Sequence, residues 1–285
     1  MAETAEQEQE HGAYKLRRIA KWLIYPLLAL NLWFYLDDEF LRVFQTNMTG
    51  ATVIDWIIEF TSSIDTLAFI ALIVLFELET HVVADTDWKG WTAKANRVAR
   101  GACYGLIGLA LFAYSASPSA YYRDVGQPDV DSLCELAGQD VSYVFNLEYV
   151  EVDRNNCLVL GDASSGLVYL GEESVVTTSV GLMLERLLGW IDVLDAVLWI
   201  LILLTIERVI RLQERHEIDG RRIGRIYKLK AALYVTLFLF AAVWAFLSHW
   251  LYAWDAVLWI AGFLVIEMNV NQWRDEIRAE VAAGV

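Results

Sequence analysis

The sequence predicts an all-α polytopic membrane protein. It has six transmembrane helices arranged as three same-sense hairpins, with a small disulfide-linked α+β insertion on the extracytoplasmic side. Three observations predict this. The 285 residues are 57% hydrophobic and include twelve Trp, with a mean hydropathy of +0.39, more apolar than a soluble domain requires. Six separate stretches approach the roughly 20 residues that cross a bilayer. A thirteen-residue pattern that opens with Asp and closes with Glu occurs three times, each time in an apolar run.

The expected spans are residues 19–36, 54–78, 101–116, 187–210, 231–247 and 250–270. Residues 1–18 form an N-terminal segment whose first ten residues are polar and acidic, the opposite of a secretory n-region. The first span therefore reads as a retained helix rather than a cleaved signal. Residues 19–116 hold the first hairpin and the third span, with a short linker expected around residues 37–50. Residues 117–178 form the insertion. Residues 179–270 hold spans four to six, with a basic loop at 208–230, and residues 271–285 form a tail.

Lysine and arginine set the orientation. Lys15, Arg17, Arg18 and Lys21 surround the start of the first span, and Lys89, Lys94, Arg97 and Arg100 lie between the second and third. The 208–230 segment carries eight basic and three acidic residues, whereas residues 117–178 carry two basic and eleven acidic. The positive-inside rule places both termini and both basic loops in the cytoplasm, in a plasma or inner membrane. The net charge of −15 implies no nucleic-acid partner, because the acidic insertion repels polyanions and draws cations. Lipids are the expected partners, with a further protein partner expected at the insertion.

Within the insertion, 129–137 reads as a short helix. Residues 141–152 and 157–170 read as short strands separated by polar turns. Cys134 and Cys157 are the insertion's two cysteines, and an oxidising compartment predicts a disulfide between them. At that loop length it contributes roughly 3 kcal/mol on the chain-entropy account. Cys103 falls in the third span as a small buried hydrophobe.

The repeated pattern selects the candidate residues. Asp195 to Glu207 matches Asp255 to Glu267 at nine of thirteen positions, six of them consecutive; Asp65 to Glu77 matches the third copy at Asp65, Ile70, Ala71 and Glu77. Copies of the same sense imply an axis along the membrane normal. Three two-helix hairpins share a span count with mitochondrial carriers. Their Pro-x-[Asp/Glu]-x-x-[Lys/Arg] signature is missing, and with Pro26, Pro118 and Pro128 as the only prolines it could not occur once per hairpin.

Carboxylates in lipid are costly and commonly mark ion or proton paths. One reading is therefore a small-cation or proton channel or transporter. Asp65, Asp195 and Asp255 would form an outer ring, Glu77, Glu207 and Glu267 an inner ring, and Asp192 an auxiliary site. The alternative is structural. Each Asp suits a helix N-terminus, its neighbouring Trp suits a membrane interface, and each Glu pairs with an arginine such as Arg208, Arg211 or Arg274. The protein is then a non-transporting scaffold or sensor acting through the insertion. Glu77, Glu79 and His81 cluster at one span end, too few ligands for a metal site. Gly101, Gly105 and Gly108 predict a close helix approach. The chain has no phosphate-cradling glycine loop, no Gly-x-Ser-x-Gly and no Cys-x-x-Cys, so neither an enzyme nor a cofactor is expected.

Overall fold

The computed structural model describes residues 2–46, 52–78, 90–123, 125–130, 132–160, 166–170, 172–214 and 220–283. Helices dominate. In chain order they are α1 (Ala2–Thr46), α2 (Val53–Glu59), α3 (Thr61–Glu77), α4 (Trp91–Arg123), the short α5 (Cys157–Leu160), α6 (Ser179–Glu214), α7 (Gly220–Phe246) and α8 (Trp250–Ala283). Among the described residues, five helices are long and apolar enough to cross a membrane. The count is six if α2 and α3, bent by 70° at their junction, make one span.

The helices overrun the expected spans. Residues 37–46 continue α1 instead of forming a linker, and α6 begins at Ser179, eight residues before the expected start. The break after α2 has a local cause. Thr52 and Asp55 form a reciprocal capping box that starts α2, which satisfies the first free N–H groups. At the other end Thr61 Oγ1 donates to the carbonyls of Ile57 and Ile58 at 2.8 and 2.7 Å, absorbing acceptors left open where the helix stops. Between α7 and α8 the turn is tight, with Ser248 at φ 69°, as expected for residues 248–249.

The chain divides into two units: Met1–Ala110 with Leu198–Val285, and Leu111–Val197. The first is a helical bundle in which α1 packs on α3 and α8, and α7 packs on α8. Its core holds Leu28, Leu72, Phe76, Ile202, Leu203, Ile206, Leu237 and Phe263, each at most 2% exposed.

The second unit holds a four-stranded sheet in the order β2-β1-β4-β3. Its strands are β1 (Ser142–Phe145), β2 (Glu148–Glu151), β3 (Leu167–Leu170) and β4 (Glu172–Thr178). β1 runs antiparallel to β2 and parallel to β4, and β3 pairs antiparallel with β4. The expected helix at 129–137 is a single 3-10 turn, Leu133–Leu136. The stretch expected to be strand from 157 begins as α5. The Cys134–Cys157 disulfide is present, with Cα atoms 4.9 Å apart, and ties that 3-10 turn to α5. Gly189 on α6 lies against Pro118 of α4, where an added Cβ would sit 3.0 Å from the Pro118 Cβ. Among the described residues the close approach expected at Gly101, Gly105 and Gly108 is not seen, since a Cβ at any of them meets nothing within 4 Å.

Candidate functional site

Six of the seven candidate acids lie on the three repeats, and the first unit holds five of the seven: Asp65, Glu77, Glu207, Asp255 and Glu267. Asp192 and Asp195 belong to the second unit, one turn apart on α6 and half-buried.

The three glutamates have the same surroundings. Glu77 on α3 pairs with Lys21 of α1 and accepts from Tyr25 Oη at 3.3 Å. Glu207 on α6 pairs with Arg100 of α4 and accepts from Tyr104 Oη at 3.2 Å. Glu267 on α8 pairs with Lys230 of α7 at 2.9 Å and accepts from Tyr234 Oη at 2.7 Å. In each case the cation and the tyrosine are four residues apart, one turn along a single helix, so both reach the same carboxylate. Glu207 takes a second cation, Arg211 of its own helix, at 2.8 Å.

These groups are largely withdrawn from solvent. Side-chain exposures are 4% and 12% for Lys230 and Glu267, 12% each for Arg100 and Glu207, and 20% and 21% for Lys21 and Glu77. A buried carboxylate is tolerable when a cation and further donors satisfy it. Adjacent pairs also interlock, because the Arg100 guanidinium lies 4.7 Å over the ring of Phe76, the residue before Glu77.

The aspartate end is built differently. Asp255 Oδ1 accepts from Asn31 Nδ2 and from Trp259 Nε1, the latter at 2.9 Å. Asn31 sits on a buried face of α1 with Leu28, Tyr35 and Glu39, all at most 8% exposed. Glu39 Oε1 accepts from the backbone N–H of Ser63 at 3.1 Å. That donor belongs to the first turn of α3, where N–H groups lack helical partners and a negative charge meets the positive end of the dipole. Asp65, one half-turn further along α3, is half-buried.

Between the two acid levels, aromatic rings from all three repeats meet. The fifth position of each copy is Phe69, Trp199 or Trp259. Phe69 lies 5.6 Å from Trp259 and 6.0 Å from Phe263, and Trp199 stacks on Phe263 at 5.4 Å. The two tryptophans, expected at a membrane interface, are 6% and 5% exposed and form part of the core.

Sequence reasoning missed the partners. Lys21-x-x-x-Tyr25, Arg100-x-x-x-Tyr104 and Lys230-x-x-x-Tyr234 lie at the start of the first expected span of each hairpin, and the threefold recurrence of that motif was the available signal. Of the arginines expected to meet the glutamates, Arg211 does so. Nothing is described for the Arg274 side chain, and Glu79 and His81 lie outside the described residues. Comparison with protein-family models, curated proteins and solved structures finds no match to this chain.

Proposed function

We propose that this protein is a non-transporting membrane scaffold or sensor, a sealed six-span bundle that displays the acidic 117–178 segment outside. The observation that carries this reading is the pairing of the repeated acids. Each glutamate of the pattern is matched by a cation and a tyrosine from the neighbouring helix. The level between the acids is filled by Phe69, Trp199, Trp259 and Phe263. An ion path needs carboxylates that face water and can exchange partners. Carboxylates already neutralised by fixed cations, one ring layer away from a packed aromatic cluster, do the work of joining helices.

In this reading α2 and α3 together make the second span, both termini face the cytoplasm of a plasma or inner membrane, and the three hairpins are copies of one unit. The shared [Lys/Arg]-x-x-x-Tyr partner supports the duplication, since it recurs outside the thirteen-residue pattern that first suggested it. The segment left to act is the insertion, with eleven acids against two bases, a surface suited to a basic protein partner.

Reconstitution into liposomes tests the proposal. Potassium, sodium and proton fluxes are expected to equal those of protein-free vesicles. A flux that disappears in Asp195→Asn or Asp255→Asn would establish the channel or transporter reading instead, with Asp65, Asp192, Asp195 and Asp255 lining its path.

A further inference from the structure

We infer that α2 lies nearly flat in the bilayer interface at the outer end of the second span, its apolar face against the lipid and Asp55 and Glu59 turned to water. This rests on the membrane reading above and deepens it, by giving α2 and α3 different parts of one span. The residues of α2 are arranged amphipathically. Asp55 and Glu59 are one turn apart and share a face. Ile57 lies opposite them, flanked by Val53 and Ile54, with Trp56 and Ile58 at the two margins. None of the seven residues is buried, and Val53 and Ile54 are 75% and 60% exposed. A helix this short is marginal in water by itself, and the described chain leaves its apolar face open. A lipid interface accepts such a face while the opposite, charged face stays in water.

Depth and tilt agree with that placement. Glu39 accepts from the Ser63 N–H at 3.1 Å, and the Phe40 and Phe60 rings meet edge to face at 5.1 Å. The start of α3 is therefore level with residues 39–40 of α1. Those residues follow the exposed Asp37 and Asp38, just past the apolar run of 19–36, which is headgroup depth. There the chain turns by 70°. The 17 residues of α3 cover about 26 Å at 1.5 Å per residue, most of a ~30 Å hydrocarbon layer. The seven residues of α2 are about 10 Å long, and at 70° to α3 they add only about 4 Å of depth. Trp56 stacks on Phe60 at 5.9 Å, so Phe40, Phe60 and Trp56 make an aromatic cluster of the kind found at membrane interfaces. Phe40 and Leu41 are themselves exposed at this level. The surface that meets lipid on α1 thus continues onto α2 through the Phe40–Phe60 contact, which favours lipid as the occupant over a separate protein.

Nitroxide scanning of the full chain in phosphatidylcholine liposomes tests the inference. Cys103→Ala removes the free thiol, and a single cysteine replaces each residue from 53 to 59 in turn. Collision with oxygen reports lipid, and collision with a water-soluble nickel chelate reports water. The oxygen-to-nickel ratio is expected to follow the helical period, several-fold higher in Val53→Cys and Ile57→Cys than in Asp55→Cys and Glu59→Cys. A ratio that rises steadily from residue 53 to residue 59 would overturn the inference, because α2 would then enter the bilayer as a continuation of α3. So would nickel access at every position, which would put α2 clear of the membrane. So would low collision with both reagents at residues 53 and 57, which would mean that a protein surface covers them. Labels in Leu67→Cys and Val74→Cys, at exposed positions of α3, separate the two levels of inference. High oxygen access there without periodicity in α2 loses only the interfacial helix. Nickel access there in place of oxygen loses the membrane reading and this inference with it.

Discussion

The two units differ in how their charged side chains are satisfied. In the first, the three repeated glutamates meet cations, Glu77 with Lys21, Glu207 with Arg100 and Arg211, Glu267 with Lys230, and Glu39 is the exception that meets a backbone N–H. In the second, charged side chains meet backbone. Glu185, fully buried on α6, accepts from the Leu147 N–H at 3.1 Å. Arg186 donates to the Tyr121 carbonyl near the end of α4 at 2.9 and 2.6 Å and lies 4.3 Å over the Tyr122 ring. Asp153 accepts from the N–H groups of Asn155 and Asn156. The difference follows from what each unit has to join. Long helices satisfy their own backbone, so what remains to be matched between them is side-chain charge. Short strands and tight turns leave backbone groups open, and a charged side chain is a strong partner for them.

The difference has a magnitude. Removing one member of a buried ion pair leaves an uncompensated charge, which costs about 3–5 kcal/mol, whereas an orphaned backbone group costs about 1–3 kcal/mol. Glu207→Gln is therefore expected to give a large loss, about 3–5 kcal/mol, because it strands Arg100. Glu77→Gln is expected to cost less, since Lys21 and Glu77 are the more exposed pair. Denaturant unfolding in micelles measures both. A Glu207→Gln cost under about 1 kcal/mol, the level of an exposed pair, would erase the contrast between the units.

Much of this architecture is legible in the chain, and the misses share a cause. Helix positions and the disulfide follow from apolar run length and cysteine placement, signals that are local or nearly unique. The repeat singles out Glu77, Glu207 and Glu267, and each of them is found paired with a cation. Their partners escape because a cation and a tyrosine at i and i+4 are common on any helix, and the acid they meet is 56 residues away for Lys21 and 107 for Arg100. Glu39 escapes for the opposite reason. Asp37-Asp38-Glu39 marks a linker by composition, yet the Ser63 N–H gives Glu39 a buried partner and α1 runs through. Trp199 and Trp259 look interfacial by residue type, and the rings of Phe69 and Phe263, distant in sequence, draw them into the core.

A smaller effect sharpens the comparison from the other side. Asn146 and Leu147 form the two-residue turn between β1 and β2, with φ of 57° and 60°, the left-handed pair that matches the twist of a hairpin. Its Leu147 N–H has Glu185 as its acceptor. Glu185→Leu should remove that acceptor without leaving a charge, at about 1–3 kcal/mol. Hydrogen exchange is expected to quicken at residues 142–151 and stay unchanged around Glu77, Glu207 and Glu267. Exchange that quickened equally in both regions would mean that the hairpin does not depend on this bond.

The smallest effect isolates the backbone mode on an exposed group. The N–H groups of Asn156 and Asn155 hold the Asp153 carboxyl below the usual carboxylate range. Asp153 N–H in turn donates to Asn156 Oδ1 at 2.8 Å, and Asn156 Nδ2 to the Glu151 carbonyl at 2.7 Å. This reciprocal cap leads into α5 and the Cys157 end of the disulfide. Because folding depresses the carboxyl's pKa, its contribution is fully present above the unfolded value of about 3.9. It is lost as pH falls through the lower folded value. Amide shifts of Asn155 and Asn156 should therefore hold steady from neutral pH down past the ordinary aspartate range and move only below it. Asp153→Ala should abolish that low-pH step and loosen the turn at every pH, while the disulfide keeps Cys157 in place. A step at or above the ordinary aspartate value would show that solvent, rather than the Asn155 and Asn156 amides, governs Asp153. The backbone mode would then be confined to the buried Glu185 and the helix-end Arg186.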